Sequence, residues 1–120
     1  MNHPERSSAY VLDENQKKVE YTPDAKTQNT GTFVLNKEDH TIGNLVRMQL
    51  LRDTTVRFAG YIMPHPLINK LDLKIQTKDY TTTPKASLQY ALDDLINETE
   101  HINEKLGEAI NDWKVKQSNR

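Results

Sequence analysis

A long amphipathic segment in the C-terminal third most strongly constrains how this 120-residue chain folds. After Pro84 it contains no further proline and a single glycine, so one continuous helix is predicted over residues 84–115. Spacings of four and three residues alternate along one side of it, as in helices that pack against another helix. We call the eight residues of this side the seam: Leu88, Leu92, Leu95, Thr99, Ile102, Leu106, Ala109 and Trp113.

The length of this helix indicates that part of the seam lies outside the chain's own core. A helix over residues 84–115 is about 48 Å long, whereas strands of five to eight residues span about 17–27 Å. A sheet of such strands covers only the first half of the helix, and leaving an apolar side chain in water costs roughly 1.5–3 kcal/mol. A partner chain is therefore predicted to cover Ile102, Leu106, Ile110 and Trp113. The alternative is an ordinary core helix whose end folds back on the sheet, with a break near Gly107.

The sequence upstream predicts four strands and one shorter helix. Apolar and polar residues alternate most clearly over 71–77, where Leu71, Leu73 and Ile75 point inward, and strands are also predicted at 17–21, 32–35 and 56–63. We expect turns at 22–24 and 29–31, and a bulge or a close backbone approach at Gly60. This order predicts an α+β fold, with an antiparallel four-stranded sheet packed by a short helix and a long C-terminal helix. The predicted division is an N-terminal arm (1–16), one domain (17–117) and a tail (118–120), with the arm extended and docked through Tyr10, Val11 and Leu12.

The shorter helix, predicted over residues 41–52, is apolar on two sides. Asp39 or Thr41 is positioned to cap its first turn. One apolar stripe consists of Ile42, Leu45, Val46 and Leu50. Because Met48 and Leu51 lie outside that stripe, we expect this helix to be covered from two directions.

Composition and residue spacing favour no catalytic, metal or cofactor site. The chain has 16 basic and 17 acidic residues and no cysteine, which excludes a thiolate zinc site and gives no positive surface for nucleic acid or an anionic membrane. Glu38 and Asp39 precede a predicted helix, where capping explains them, and arginines 47, 52 and 57 are assigned to surface or interface pairing. The histidines lack the spacing of a zinc-binding helix and are assigned to caps, loops or the surface: His3, His40, His65 and His101.

The segment NKEDHTIGNLVRMQLL, residues 36–51, closely resembles the alpha motif of the alpha-like subunits of RNA polymerases. In that family this motif opens the first dimerisation helix, and residues 56–67 and 71–77 are similar to the family's next strands. The resemblance covers roughly residues 17–115 and implies the fold of the bacterial alpha-subunit dimerisation domain. The matching motif residues are Glu38, Asp39, His40, Thr41, Gly43 and Asn44.

The resemblance implies a non-catalytic, nuclear assembly subunit of RNA polymerase that needs no cofactor. Its expected partner is the larger alpha-like (third) subunit, and this heterodimer nucleates assembly with the second largest and other core subunits, without direct contact to nucleic acid or membrane. With the seam and the two-sided helix, it assigns a shared interface to Ile42, Leu45, Val46, Met48, Gln49, Leu88, Leu92, Leu95, Ile96, Ile102, Leu106 and Trp113.

Several alternatives remain open at the level of the sequence. The opening residues Met1, Asn2, Pro4 and Arg6 are similar to the polymerase II branch of the family. The branch shared by polymerases I and III competes with it, and the archaeal L branch fits less well. Outside the family, the chain could be a self-associating domain whose seam closes a homodimer. A small nucleic-acid-binding module is disfavoured by the charge balance.

Overall fold

The computed structural model describes residues 6–119. Its elements, in chain order, are β1 (Val19–Pro23), β2 (Thr30–Asn36), α1 (His40–Leu51), β3 (Val56–Ile62), β4 (Lys70–Thr77) and α2 (Pro84–Ser118). All strand pairs are antiparallel, in the spatial order β1-β2-β4-β3. The predicted α+β architecture, a four-stranded antiparallel sheet packed by a short and a long helix, is therefore confirmed.

The core lies between one face of the sheet and the two helices. Alternate residues of the inner strand β4 point toward the helices, and Leu71, Leu73 and Ile75 are completely buried there. Val46 and Leu50 of α1 pack into the same cluster from the helix side. Because side chains alternate along a strand, Asp72 and Lys74 point to the opposite face, which neither α1 nor α2 covers.

Side-chain caps set where both helices begin. The carboxylate of Asp39 accepts a hydrogen bond from the Thr41 N–H at 2.9 Å and caps α1. The hydroxyl of Thr83 accepts from the Ala86 N–H at 3.1 Å at the start of α2, where Pro84 occupies the first turn. α2 then continues through Gly107 without a break and ends at Ser118, one residue beyond the predicted domain boundary.

Two predicted turns belong to strands in the structure. Thr22 and Pro23 extend β1, where a proline is tolerated because β1 is an edge strand. Thr30 and Gly31 begin β2, and the turn that precedes them ends at Asn29, whose φ is 58°. The prediction from polar and turn-forming residue types therefore placed the end of β1 and the start of β2 about two residues away from their observed positions.

The irregularity in β3 lies at its first residues and not at Gly60. The register against β4 shifts between Val56 and Phe58, which places the bulge at Arg57. At Gly60 an added Cβ would lie 2.9 Å from the ring of Phe58. The alternative expectation, a close backbone approach at Gly60, is also wrong, because the group beside this glycine is the ring of Phe58.

The N-terminal arm does not dock through its apolar triplet, so that prediction was wrong. Tyr10, Val11 and Leu12 are exposed, and a turn of 3-10 helix spans Arg6–Ala9. The arm is held by polar contacts, with the ammonium of Lys37 donating to the Ser8 carbonyl at 2.7 Å. The opening residues Met1 to Pro4, including His3, lie outside the described residues.

The second half of α2 extends beyond the rest of the protein. Every residue from Ile96 to Asn119 is exposed, so the alternative in which the helix folds back on the sheet is wrong. The Cα radius of gyration is 19.1 Å, and the principal extents are 67 × 51 × 22 Å. Within residues 6–119, no helix is both long enough and apolar enough to cross a membrane.

Candidate partner-binding surface

Residues of the motif at 38–44 attach the start of α1 to the sheet. Glu38 accepts from the ammonium of Lys18 at 2.6 Å, which ties the α1 entrance to the segment before β1. Asp39 provides the N-terminal cap. Capping, which was expected of both carboxylates, is thus the role of Asp39 alone, whereas Glu38 forms an ion pair.

Tyr61 of β3 is the anchor of α1. A hydrogen bond of 2.8 Å joins its hydroxyl to Nδ1 of His40. Its ring also fills the space beside Gly43, where an added Cβ would lie 2.8 Å from the ring. Because α1 lies so close to Tyr61, the sheet fixes the position of the helix, and with it the side chains that α1 presents outward.

An apolar groove of about 290 Å³ runs between α1 and α2. Val46 forms its floor and is 2% exposed, whereas Leu45 lies at its rim and is largely open to solvent. Such a concave apolar surface fits apolar side chains of another chain. Its lining residues are Ile42, Leu45, Val46, Leu92, Leu95, Ile96, Thr99 and Glu100.

A second, more polar depression of about 420 Å³ adjoins this groove and shares Leu45 and Leu95 with it. Met48 and Gln49 add to its lining. An ion pair between Arg52 and Glu98 joins α1 to α2 across its edge, with an N–O distance of 3.1 Å. The α1 residues that line these two depressions and the facing side of α2 therefore form one continuous surface with a polar border.

Beyond the groove, no other element among residues 6–119 covers the seam. We call the large apolar residues here the uncovered seam; they are the seam residues Ile102, Leu106 and Trp113 and the flanking Ile110. The side chains of Ile102, Leu106 and Trp113 are 66%, 57% and 61% exposed. Contiguous exposed apolar side chains on this scale mark interaction surfaces in soluble proteins.

The structure brings most of the predicted interface residues onto this surface. Val46 and Leu88, which were also assigned to the shared interface, are buried in the chain's own core at 2% and 7% exposed, and Val46 also forms the floor of the groove. Val115 was missed and is also exposed. It follows Trp113 by two residues, so the heptad spacing gave no signal for it.

No reactive centre is recognisable among the polar groups of residues 6–119. No group of three or more histidine and acidic side chains suited to a metal ion occurs in the part of the chain that the structure describes. The backbone N–H of Lys26, followed by that of Thr27, lowers the pKa of Asp24. The hydroxyl of Thr81 lowers the pKa of Asp79. Both aspartates are hydrogen-bonded within turns.

Comparisons with known proteins agree on one family. The family model described as the RNA polymerase Rpb3/Rpb11 dimerisation domain matches residues 30–105. The DNA-directed RNA polymerase II subunit rpb11 of Dictyostelium discoideum is 45% identical over 98 residues, covering 82% of this chain and 81% of that protein. Subunit RPB11 of Schizosaccharomyces pombe is 39% identical over 116 residues, covering 97% of this chain and 90% of that protein.

A solved structure supports the same fold. DNA-directed RNA polymerase subunit L from Thermoplasma acidophilum superposes with a TM-score of 0.66 at 18% sequence identity. The match covers 82% of this chain and 95% of that one. At this level of identity the likeness concerns the fold, which is the fold that the motif resemblance implies.

Proposed function

The chain belongs to the RNA polymerase Rpb3/Rpb11 dimerisation-domain family, and from this premise we propose that it is the small, non-catalytic alpha-like assembly subunit of RNA polymerase II. Relatives that are 39–45% identical over most of their length bear the name of that polymerase's subunit, which supports the polymerase II branch over the one shared by polymerases I and III. A role in mRNA transcription and a nuclear location follow from the proposal.

The observation that carries the proposal is the continuous apolar surface on α1 and α2. It begins in the groove at Leu45 and Ile96 and ends at Trp113. The four uncovered-seam residues are 45–66% exposed, so burying what remains open would contribute roughly 3–7 kcal/mol. Association itself costs free energy of the same order, so a stable complex also needs the contacts in the groove.

The proposed partner is the larger alpha-like (third) subunit. A related domain would offer helices of the same kind, and the alternating spacing of the seam suits helix-to-helix packing. The heterodimer would then join the second largest and the remaining core subunits. In this proposal the chain contributes binding surfaces, and the nucleotide chemistry belongs to other subunits.

Co-expression of the full chain with the larger alpha-like subunit tests the proposal. We expect a 1:1 complex in size-exclusion chromatography with light scattering, and protection of the α2 amides in hydrogen exchange. Ile96→Asp should abolish the complex, because it places a charge in the apolar groove. Glu104→Gln, on the charged side of α2, is the matched control and should leave the complex intact.

Self-association is the second candidate function, because the same apolar surface could be covered by another copy of the chain. A monodisperse homodimer with a fully protected α2, combined with no binding to the larger subunit, would favour this candidate and contradict the proposed one. Salt-dependent binding of the isolated chain to duplex DNA would instead indicate a nucleic-acid-binding module.

A further inference from the structure

The face of the sheet that points away from the helices carries a separate pocket of about 360 Å³. Lys74 of β4 pairs with Thr32 on one side and Gly60 on the other, and Asp72 pairs with Ile62. These side chains therefore form one patch across three strands. The patch lies on the opposite face from the α1/α2 surface, so both could be occupied at once.

Asp72 is the unusual member of this patch. Its Oδ1 is buried and has no hydrogen-bond donor. On the same face, its neighbours across the ladder are Val34 and Ile62, both apolar. No ion pair among the described residues includes Asp72. A carboxylate with apolar neighbours is unfavourable unless a cation or donors approach it.

Two lysines of β4 flank Asp72 on this face, Lys70 and Lys74, and neither forms an ion pair with it. Lys74 follows Asp72 by two residues on β4, and its ammonium lies 3.9 Å from Oδ2 of Asp24, in the β1–β2 turn. That turn lies on the β1 side of the sheet, whereas Ile62 belongs to β3 at the other edge. Among residues 6–119, therefore, no cation pairs with Asp72, and because its Oδ1 is enclosed, a cation from another chain would meet the second oxygen, Oδ2.

Phe58 supplies the second recognition element. Its side chain is 47% exposed, and its ring lies against Gly60, where an added Cβ would approach to 2.9 Å. Phe58 pairs with Gln76, four residues along β4 from Asp72, and both Phe58 and Asp72 line the pocket. This combination suits a planar cation, because a guanidinium can stack on the ring while it donates to the carboxylate. An ammonium, which is compact and strongly hydrated, fits this combination less well.

We propose that this outer-sheet pocket is a docking site for an arginine side chain of another protein chain, in which Asp72 receives the guanidinium and Phe58 stacks on it. The inference does not depend on the identity of the chain that covers α2. It rests on the charge of an unpartnered carboxylate and on the aromatic face beside it.

Nuclear magnetic resonance titration of the ¹⁵N-labelled full chain with L-argininamide tests this site. We expect saturable shifts of the β3 and β4 amides, and about tenfold weaker binding for Asp72→Asn, as loss of a charge-assisted hydrogen bond predicts. Phe58→Ala should also weaken binding. Glu104→Gln, which removes a carboxylate from α2, should leave the binding curve unchanged.

L-citrullinamide, which has a neutral urea in place of the guanidinium, is the matched probe and should not produce these shifts. Equal shifts with citrullinamide, equal binding of L-lysinamide, or an unchanged curve for Asp72→Asn would each overturn the proposal. Thermal melting provides a second readout. Asp72→Asn should keep or raise the melting temperature, whereas a marked fall would show that Asp72 is bonded within the fold and not reserved for a partner.

Discussion

At the scale of single residues, the groups that resemble catalytic machinery are used to position α1. Asp39 caps the helix, Glu38 pairs with Lys18, and His40 bonds to Tyr61. Gly43 leaves room for the ring of Tyr61. These residues therefore act by fixing the position of α1. A shift of α1 would displace every side chain that it presents to a partner.

Gly43 should resist even the smallest substitution. Gly43→Ala gains up to about 1 kcal/mol of helix propensity but forces a Cβ against the Tyr61 ring, where overpacking costs about 1–3 kcal/mol. We expect a net loss of up to about 2 kcal/mol in the free energy of unfolding, measured by urea denaturation. Gly107→Ala is the control, since a Cβ there meets nothing within 4 Å. Equal stability of both variants would contradict the packing argument.

The turns that contain Asp24 and Asp79 should weaken in acid. Hydrogen bonds hold the pKa of each carboxyl below its ordinary value of 3.8. Their contribution to stability is therefore complete above about pH 4 and is lost as the pH falls through the lowered pKa. Asp24→Asn should make the urea midpoint less dependent on pH between about 4 and 2. A pH dependence identical to that of the wild-type chain would show that this turn makes no such contribution.

At the scale of secondary structure elements, α2 serves two purposes along its length. Its first turns bury Ser87, Leu88 and Ala91 against the chain's own core. From Ile102 onward it carries an apolar side with nothing among residues 6–119 opposite it. The same heptad pattern thus contributes to folding at one end and to association at the other.

Leu106→Asp should separate these two purposes. Because Leu106 is far from the core, the isolated variant should keep its helical and strand signals in circular dichroism. Its complex with the larger alpha-like subunit should be lost or weakened by at least about tenfold, since a charge would be buried at the interface.

Leu88→Asp is the control variant for the half of α2 that packs on the chain's own core. Leu88 belongs to the core cluster, so this substitution should unfold the isolated chain. If Leu106→Asp also abolished all secondary structure, Leu106 would be part of an intramolecular core, and the uncovered seam would not exist in solution.

At the scale of the whole molecule, the fold is extended because α2 is much longer than the sheet on which it packs. A compact domain of this length has a radius of gyration of about 14 Å, whereas the Cα radius here is 19.1 Å. A shape of this kind exposes much apolar surface for its size, which is unfavourable for an isolated chain and appropriate for a subunit.

Small-angle X-ray scattering of the isolated chain should distinguish an extended α2 from a folded one. We expect a radius of gyration near 19 Å at concentrations where the chain is monomeric. In complex with the larger subunit, the α2 amides should become protected from hydrogen exchange. A monomer near 14 Å would mean that the second half of α2 packs back on the domain.

Sequence periodicity determined the elements that depend on local pattern. The alternation at Leu71, Leu73 and Ile75 predicted the inner strand, and the stripe at Ile42 to Leu50 predicted α1 to within one residue at each end. The antiparallel α+β architecture followed from the order of these elements. The length of α2 also predicted that its second half lacks cover, because a helix rises by a fixed distance per residue.

The tertiary structure alone decided which of these residues meet. It placed Val46 and Leu88 in the core, because the depth of a side chain depends on how close two helices lie to the sheet, which no local pattern specifies. It also explained Gly43 through Tyr61 and left Asp72 without a cation on the outer face. The periodicity of a chain reports its local geometry, whereas contacts between distant residues arise only when the strands and helices pack together.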